Sequence, residues 1–423
     1  VTIAVVGIGL DGRDGLTQTV QEIIEQAAVL AGSKRHLSYF VHHPAQKVNL
    51  DNLQTGLEAI AKLTAVTIDN HADHHGVVIL TSGDPLFFGL GRLLLERFQA
   101  TELEFYPHLS SIQLAFNRLK IPWQDAKLVS VHGRVTDELT KFLQQGQDKI
   151  ALLTDGNNHP GAIARLFLAL ALPVNYSFYV CENLGAATEK ITHFAPEAMV
   201  QLSKLAATDF SALNVLILVR EAQSETLNLD NLPLIGLPDS SFLSFSDRPG
   251  LITKKEIRLA ILGELALQPS QVVWDIGAGT GSVSIEIARL CATSKILAIE
   301  KTTIGSTLIT KNSLRFKVDN IQSINGKAPD VLEDLPPSDR IFIGGSGGKI
   351  TDILHACSHK LKDKGLIVMA FATIEYQLRA IDWLSSHDWQ YRLLQLQISR
   401  STPLNHLTRL TPLNPVTIIT AEK

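Results

Sequence analysis

Cysteine is scarce: the chain has three in 423 residues, Cys181, Cys291 and Cys357, and no two of them stand at C-x-x-C spacing. That excludes a disulfide framework and a thiolate zinc site as the basis of the fold, and it fits a reducing, cytoplasmic location. A strong charge of one sign is also missing. With 38 basic and 42 acidic side chains the formal net charge is −4, which gives no electrostatic reason to expect a nucleic acid or an anionic membrane as partner. Long hydrophobic runs are absent too. The longest apolar helical stretch, near Phe167 to Val174, is too short to span a bilayer, and the chain opens on a strand-like run, Thr2 to Val6, so no signal peptide is expected. What remains is a chain with 45% hydrophobic and 19% charged residues. It is too long for one ordinary core, which predicts two or three well-filled domains.

The most informative stretch is Val272 to Gly281, V-V-W-D-I-G-A-G-T-G. An apolar run stops at three alternating glycines, and Ser282 to Leu290 then has helical character, so the pattern predicts a buried strand, a glycine turn and a helix. Gly277 and Gly279 allow a sharp turn and a close backbone approach to a ligand, and the free amides that open the helix favour an anionic group. A dinucleotide fingerprint requires G-x-G-x-x-G; here the third glycine, Gly281, comes one place early and Ser282 holds the expected position. That disfavours a nicotinamide-linked oxidoreductase. The next predicted strand, Lys295 to Ile299, ends at Glu300, a carboxylate suited to two ribose hydroxyls, and Asp275 closes the neighbouring strand. The pattern resembles motif I of the S-adenosylmethionine (SAM) methyltransferases.

A second strand and glycine turn occurs at the start, where Ile3 to Val6 runs into Gly7-Ile8-Gly9, and a helical pattern is expected from Leu16 to Leu30. Val77 to Leu80 predicts a buried strand ending at Ser82-Gly83-Asp84-Pro85, with a helix from about Leu86 to Phe98. Strand Leu103 to Tyr106 ends at Pro107-His108-Leu109-Ser110-Ser111 before another helix. Further strands are expected at Lys127 to Val131, Ile150 to Leu153, Ser177 to Val180 and Leu213 to Val219. Repeated alternation of strand and helix predicts largely parallel sheets with ligands at the carboxyl ends of the strands.

Gly7-Ile8-Gly9, Ser82 to Gly89, Ser110 to Ala115, Trp123-Gln124-Asp125, His132-Gly133-Arg134, Leu153 to Gly156 and Asn214-Val215 resemble the tetrapyrrole methylase family, in the branch that methylates C5 of a precorrin. One departure is His108, where that family usually has glycine. From Asp247 onward the chain is similar to the precorrin methyltransferase-decarboxylases of cobalamin biosynthesis, which act at C15 and on the C12 acetate. The matching stretches are Arg248 to Lys254, Asp275 to Gly281, Ala298 to Lys301, Asn325 to Pro329, Ile343 to Gly348 and Leu413 to Val416.

The resemblance implies an α/β chain: a two-lobed tetrapyrrole methylase fold over 1–221, a linker at 222–246, where prolines interrupt any period, and a Rossmann-like SAM methyltransferase domain over 247–423. It further implies a precorrin substrate, one SAM in each domain, and assembly into a homo-oligomer. Cofactor contacts are expected from Gly7, Gly9, Gly83, Asp84, Ser110 and Ser111 in the first domain. In the second they are expected from Thr253, Asp275, Gly277, Gly279, Gly281 and Glu300, and from Asn325, Gly326 and Ala328 around the adenine.

Methyl transfer from a sulfonium is an in-line displacement, so positioning and exclusion of water matter more than a catalytic triad, and no catalytic residue stands out. The glycine-rich turn Gly344-Gly345-Ser346-Gly347-Gly348 replaces the D/N-P-P-Y motif of amine methyltransferases and offers amides to a substrate carboxylate. Arg400, His406 and Arg409, expected in a polar loop before a terminal strand at Pro415 to Thr420, are further carboxylate-binding candidates. Thr253 also starts a capping box, Thr253-Lys254-Lys255-Glu256, and Lys254 stands within reach of donor or substrate. His71, His74 and His75 lie in a polar segment with no ligand beyond Asp73, and no metal site is expected there.

Overall fold

The computed structural model describes residues 2–67, 76–223, 227–404 and 407–423, so His71, Asp73, His74, His75 and His406 lie outside the described residues. Apolar runs build the first sheet: β1 (Ile3–Ile8), β2 (Val29–Gly32), β3 (Gln46–Asn49), β4 (Val77–Ser82) and β5 (Leu103–Tyr106) in the order β3-β2-β4-β1-β5. Every pairing is parallel, and β1 is buried along its whole length, as a strand covered on both faces must be.

Two helical expectations are corrected here. The helix expected over Leu16 to Leu30 is confined to Gln18–Glu25, started by the Thr17 hydroxyl, and the chain then enters β2. A short buried apolar run carries no period that separates strand from helix, and Val29 to Gly32 was such a run. Between Leu86 and Phe98 only Gly91–Leu95 is α-helical, because Phe88 takes a left-handed φ of 53° and breaks the hydrogen-bond ladder.

The second sheet holds β6 (Lys127–Ser130), β7 (Lys149–Leu153), β8 (Asn175–Glu182), β9 (Lys190–Phe194) and β10 (Asn214–Glu221) in the order β6-β7-β10-β8-β9. Only β6 and β7 run parallel; the other three pairings are antiparallel, so this sheet departs from the expectation of largely parallel sheets. The cause is local. The short turn between β8 and β9 leaves no room for a crossover helix, so the two strands form a hairpin.

The third sheet contains β11 (Val272–Ile276), β12 (Lys295–Glu300), β13 (Ile321–Asn325), β14 (Ser338–Ile343), β15 (Leu361–Phe371) and β16 (Gln390–Leu396). A two-stranded hairpin follows, β17 (Ser399–Leu404) and β18 (Leu407–Pro412), and then β19 (Val416–Glu422) returns to the sheet. The order is β13-β12-β11-β14-β15-β19-β16, with β19 antiparallel to both neighbours. Strand order reverses between β11 and β14, which opens a crevice at their carboxyl ends. Arg400 and Arg409 therefore lie on a hairpin and not in the expected loop; Pro403 and Pro412 obscured it, although a two-stranded ribbon tolerates proline where no ladder donor is needed.

The stretch expected to link the halves packs onto the third sheet's helices. Leu237 and Phe242 are fully buried beside Ile285 and Phe316, and Glu286 accepts the amides of Gly236 and Leu237. Arg220 joins the halves by donating from Nη1 to the carbonyls of Gly146, at 2.8 Å, and Ser246, at 2.7 Å. Among the described residues no helix is long and apolar enough to cross a membrane.

Candidate cofactor and substrate sites

In the C-terminal half, β11 delivers the chain to the crevice and the glycine turn follows. Ile299 on β12 accepts the amides of Gly277 and Ala278, and Ile276 accepts that of Gly344, so three strand ends are stitched together. Gly277 has φ +75°, and a Cβ there would lie 2.5 Å from the Gly345 carbonyl oxygen. The turn after β14 is thus pressed against the turn after β11, a contact only glycine permits. Gly279 faces open space instead, with nothing within 4 Å of a would-be Cβ. Gly281 precedes helix Ser282–Leu290.

Glu300 closes β12 and braces this turn. Its Oε2 accepts from the Gly279 amide at 3.1 Å, and its Oε1 accepts from the amide and hydroxyl of Thr302 at 2.9 and 2.8 Å. Oε1 is thereby filled, and Oε2 keeps lone-pair capacity for one hydroxyl donor. Asp275 plays a different part: it is 1% exposed and takes both the amide and the hydroxyl of Ser284 on Oδ2, while Oδ1 has no partner among the described residues. Burial raises its carboxyl to about 6, with the Glu300 charge adding and the Ser284 bonds opposing. Asp275 sets the helix against the strand from behind the turn. Asn325 donates to the Glu300 carbonyl, which also accepts the Gly326 amide. Open Gly279, Glu300 and the Gly326 to Ala328 edge, all on one wall, fit a nucleoside-bearing cofactor.

These residues line one end of a cavity of about 1070 Å³, which also takes in Thr253, Lys254, Lys327, Gly344, Gly345, Ser346, Gly347, Arg400 and Arg409. The expected capping box at Thr253 does not form. The helix is Lys255–Glu264, its cap residue Lys254 makes no side-chain bond to it, and the Glu256 carboxylate is held by Arg400 at 2.6 and 3.1 Å. A guanidinium outcompetes a backbone amide for a carboxylate because the pair is charge-assisted and bidentate. Arg400 also reaches Asp239 at 3.3 Å, so its charge is committed to the protein's own carboxylates. Arg409, half exposed, stands 3.8 Å from Asp137. Lys254 donates to the Gly250 carbonyl and faces the cavity, its ammonium pushed below the usual lysine range chiefly by burial.

Sequence reasoning missed two parts of this region. One is a buried knot in which Arg258, fully inaccessible, pairs with Asp239 at 2.7 Å and Glu286 at 3.2 Å and donates to Leu237 and Thr253 carbonyls. The other is the cavity's far wall, Asp137, Thr140, Lys141 and Gln144, on the opposite half of the chain. Their helical spacing was visible, but nothing local says what the face covers.

In the N-terminal half, Gly7, Gly9, Gly83, Asp84, Ser110 and Ser111 gather at the carboxyl ends of β1, β4 and β5. A Cβ on Gly7 would lie 1.8 Å from the Gly83 carbonyl oxygen, and that oxygen accepts the His108 amide. Asp84 accepts the Leu86 amide, which makes it a turn former. Ser110 caps helix Ser111–Leu119 in a reciprocal box with Gln113. His108 has no left-handed φ, so the loop does without the family glycine. Its ring packs beside Gly9, with Nε2 3.2 Å from the Gly15 carbonyl oxygen.

Comparison with known proteins adds the following. Residues 2–198 match the tetrapyrrole (corrin/porphyrin) methylases, and residues 244–423 match the precorrin methyltransferase domain. A precorrin-6Y C(5,15)-methyltransferase (decarboxylating) from a Sinorhizobium species is 32% identical over 416 residues, covering 98% of this chain and 95% of its own. A cobalt-precorrin-6B C(15)-methyltransferase (decarboxylating) from Salmonella typhimurium is 34% identical over 189 residues, covering 44% of this chain and 96% of its own. The solved precorrin-6Y C5,15-methyltransferase of Geobacter metallireducens is 36% identical, covers 45% of this chain and 97% of that one, and has a TM-score of 0.43.

Proposed function

The chain belongs to the family of precorrin-6Y C(5,15)-methyltransferases (decarboxylating), SAM-dependent enzymes of cobalamin biosynthesis, and from that premise we propose how its parts divide the work. The half up to about residue 221 methylates C5 of a precorrin-6B-type tetrapyrrole. The half from about residue 247 methylates C15 and removes the C12 acetate carboxyl, giving a precorrin-8-type product. Each half binds its own SAM, the chain works in the cytoplasm, and it assembles as a homo-oligomer.

The observation that carries this reading is the cavity itself. The turn at Gly277, braced by Glu300, and the Gly344 to Gly347 turn pressed against it form one part of it; the rest is wide, partly apolar and bordered by Lys254 and Arg409. SAM, when bound, supplies an electrophilic methyl group. The chain's own contribution is to hold the nucleophilic carbon in line with that group and keep water out. Decarboxylation breaks the bond between the acetate methylene and its carboxyl; the electron pair passes into the conjugated macrocycle, and a proton then adds to the methylene carbon. The amides of Gly345 to Gly347, that of Gly344 being taken by the Ile276 carbonyl, and the Lys254 ammonium suit the arm's carboxylate before it leaves.

The test is to incubate purified protein with precorrin-6B, or its cobalt form in a parallel arm, and methyl-labelled SAM. Two methyl groups and one carbon dioxide per tetrapyrrole are expected. One methyl at C15 with none at C5 would reduce the N-terminal half to a binding module, and no carbon dioxide would refute the assignment of decarboxylation.

A further inference from the structure

The cavity that begins at the Gly277 turn does not end within the C-terminal half. Its opposite wall is made by two helices of the tetrapyrrole-methylase half, Asp137–Gln144 and Pro160–Leu170. From the first helix come Asp137, Thr140, Lys141 and Gln144, spaced i, i+3, i+4 and i+7, so one polar helical face is turned to the cavity. From the second come Leu166, Ala169 and Leu170, one apolar face at the same kind of spacing. More than a hundred residues separate either face from Gly277, and only the fold brings them together.

Polar contacts reach across the seam. Arg220 bridges Gly146, just past the first helix, to Ser246, and Arg409 of the hairpin stands 3.8 Å from Asp137. The charge balance is informative. Arg400 is held by Glu256 and Asp239, and Arg409 faces Asp137, whereas Lys141 is exposed and makes no ion pair among the described residues. An apolar face beside a free ammonium suits a flat conjugated ring that carries carboxylates at its rim.

We propose that the N-terminal half completes the substrate site of the C-terminal half, with Lys141 binding a peripheral carboxylate of the tetrapyrrole and the Leu166 to Leu170 face covering its ring. This rests on the functional reading above and adds that the two halves share one site. Lys141 is then a specificity-determining residue for a reaction carried out in the other half.

The test is steady-state kinetics on the full chain with Lys141→Glu and Lys141→Arg, following C15 methylation, carbon dioxide release and C5 methylation separately, together with SAM titration. For Lys141→Glu, the KM for the tetrapyrrole in C15 methylation and decarboxylation is expected to rise about tenfold or more, as loss of a charge-assisted contact and its reversal imply. Lys141→Arg should restore most of it. SAM affinity at the C-terminal site and the kcat of C5 methylation should stay as in wild type. An unchanged KM in Lys141→Glu overturns the proposal, and so does an equal loss of C5 and C15 methylation, which would place Lys141 in its own half's chemistry. If wild-type protein shows no C15 methylation at all, the parent reading fails and this one with it, an outcome distinct from a silent Lys141 variant.

Discussion

Ser284 gives both its backbone amide and its hydroxyl to a single oxygen of Asp275, Oδ2, at 3.1 and 2.5 Å, and the other oxygen of that buried carboxylate has no partner among the described residues. A strand end and the first turn of the next helix are thereby locked behind the glycine turn. The arrangement is costly for the ionised form, which is why burial lifts the carboxyl from 3.8 to about 6.

A pH dependence follows from that shift. Between about pH 4 and 6 the folded chain holds a proton that the unfolded chain has shed, so this group's contribution to stability is fully present below the unfolded pKa and is lost as pH rises through about 6. Asp275→Asn removes the titration. Its stability relative to wild type should improve by on the order of 2 kcal/mol between pH 4.5 and pH 7, read from urea midpoints. A difference that is flat across that range would show that the carboxyl is not held up by burial.

The contact between Gly277 and Gly345 separates two glycines that look alike in sequence. At Gly277 an added Cβ meets backbone at 2.5 Å and φ is +75°, whereas at Gly345 the nearest atom to a Cβ lies 3.8 Å away. Gly277→Ala should therefore destabilise by roughly 2 kcal/mol or more, given the left-handed φ and the backbone clash, and should weaken C15 methylation. Gly345→Ala should remain within about 1 kcal/mol of wild type. Thermal unfolding of both variants decides the matter, and similar losses would contradict this packing.

Much of this site was legible because it is encoded locally. Val272 to Gly281 and Glu300 specify strand, turn and brace within some thirty residues, and hydrophobic period and glycine placement carry that information. What stayed hidden depends on partners distant in sequence. Arg400 takes Glu256 from the expected capping box, and Asp239, in what read as a linker, is claimed by Arg258. β16 is exposed along nearly all its length, so it lacks the alternation that would have announced a strand. The helical face at Asp137 to Gln144 has ordinary polar composition, and its meaning comes only from the cavity it covers.

The Arg258 knot makes a prediction about where the C-terminal half can be cut. A fragment beginning at Asp247 discards Leu237, Asp239 and Phe242, so Arg258 loses its 2.7 Å carboxylate partner and the ring that lies 4.9 Å from it and keeps Glu286 at 3.2 Å. The loss is one of two carboxylate partners together with the apolar cover of Leu237 and Phe242, on the order of a few kcal/mol. A fragment beginning at Leu227 should therefore have the higher urea midpoint. Equal midpoints for the two fragments would mean that the segment before Asp247 contributes nothing to the fold of that half.

Glu300 offers the sharpest separation of the two proposed cofactor sites. Its carboxylate braces Gly279 and Thr302 while Oε2 retains capacity for a hydroxyl donor, and it lies far in sequence from the Gly7 and Gly83 cluster. Glu300→Gln keeps an acceptor and the side-chain volume but removes the charge. Hydrogen bonds to a charged group contribute about 1.5–3 kcal/mol, so affinity at the C-terminal site should fall by roughly tenfold to a hundredfold. Calorimetric titration of wild type with SAM should resolve two sites per chain, and in the variant one of them should weaken by that factor while the other is unchanged. C5 methylation should persist, and C15 methylation should fall at low SAM and recover at high SAM, since the damage is to binding. A wild-type stoichiometry of one, or a variant in which both sites weaken together, would refute independent cofactor pockets.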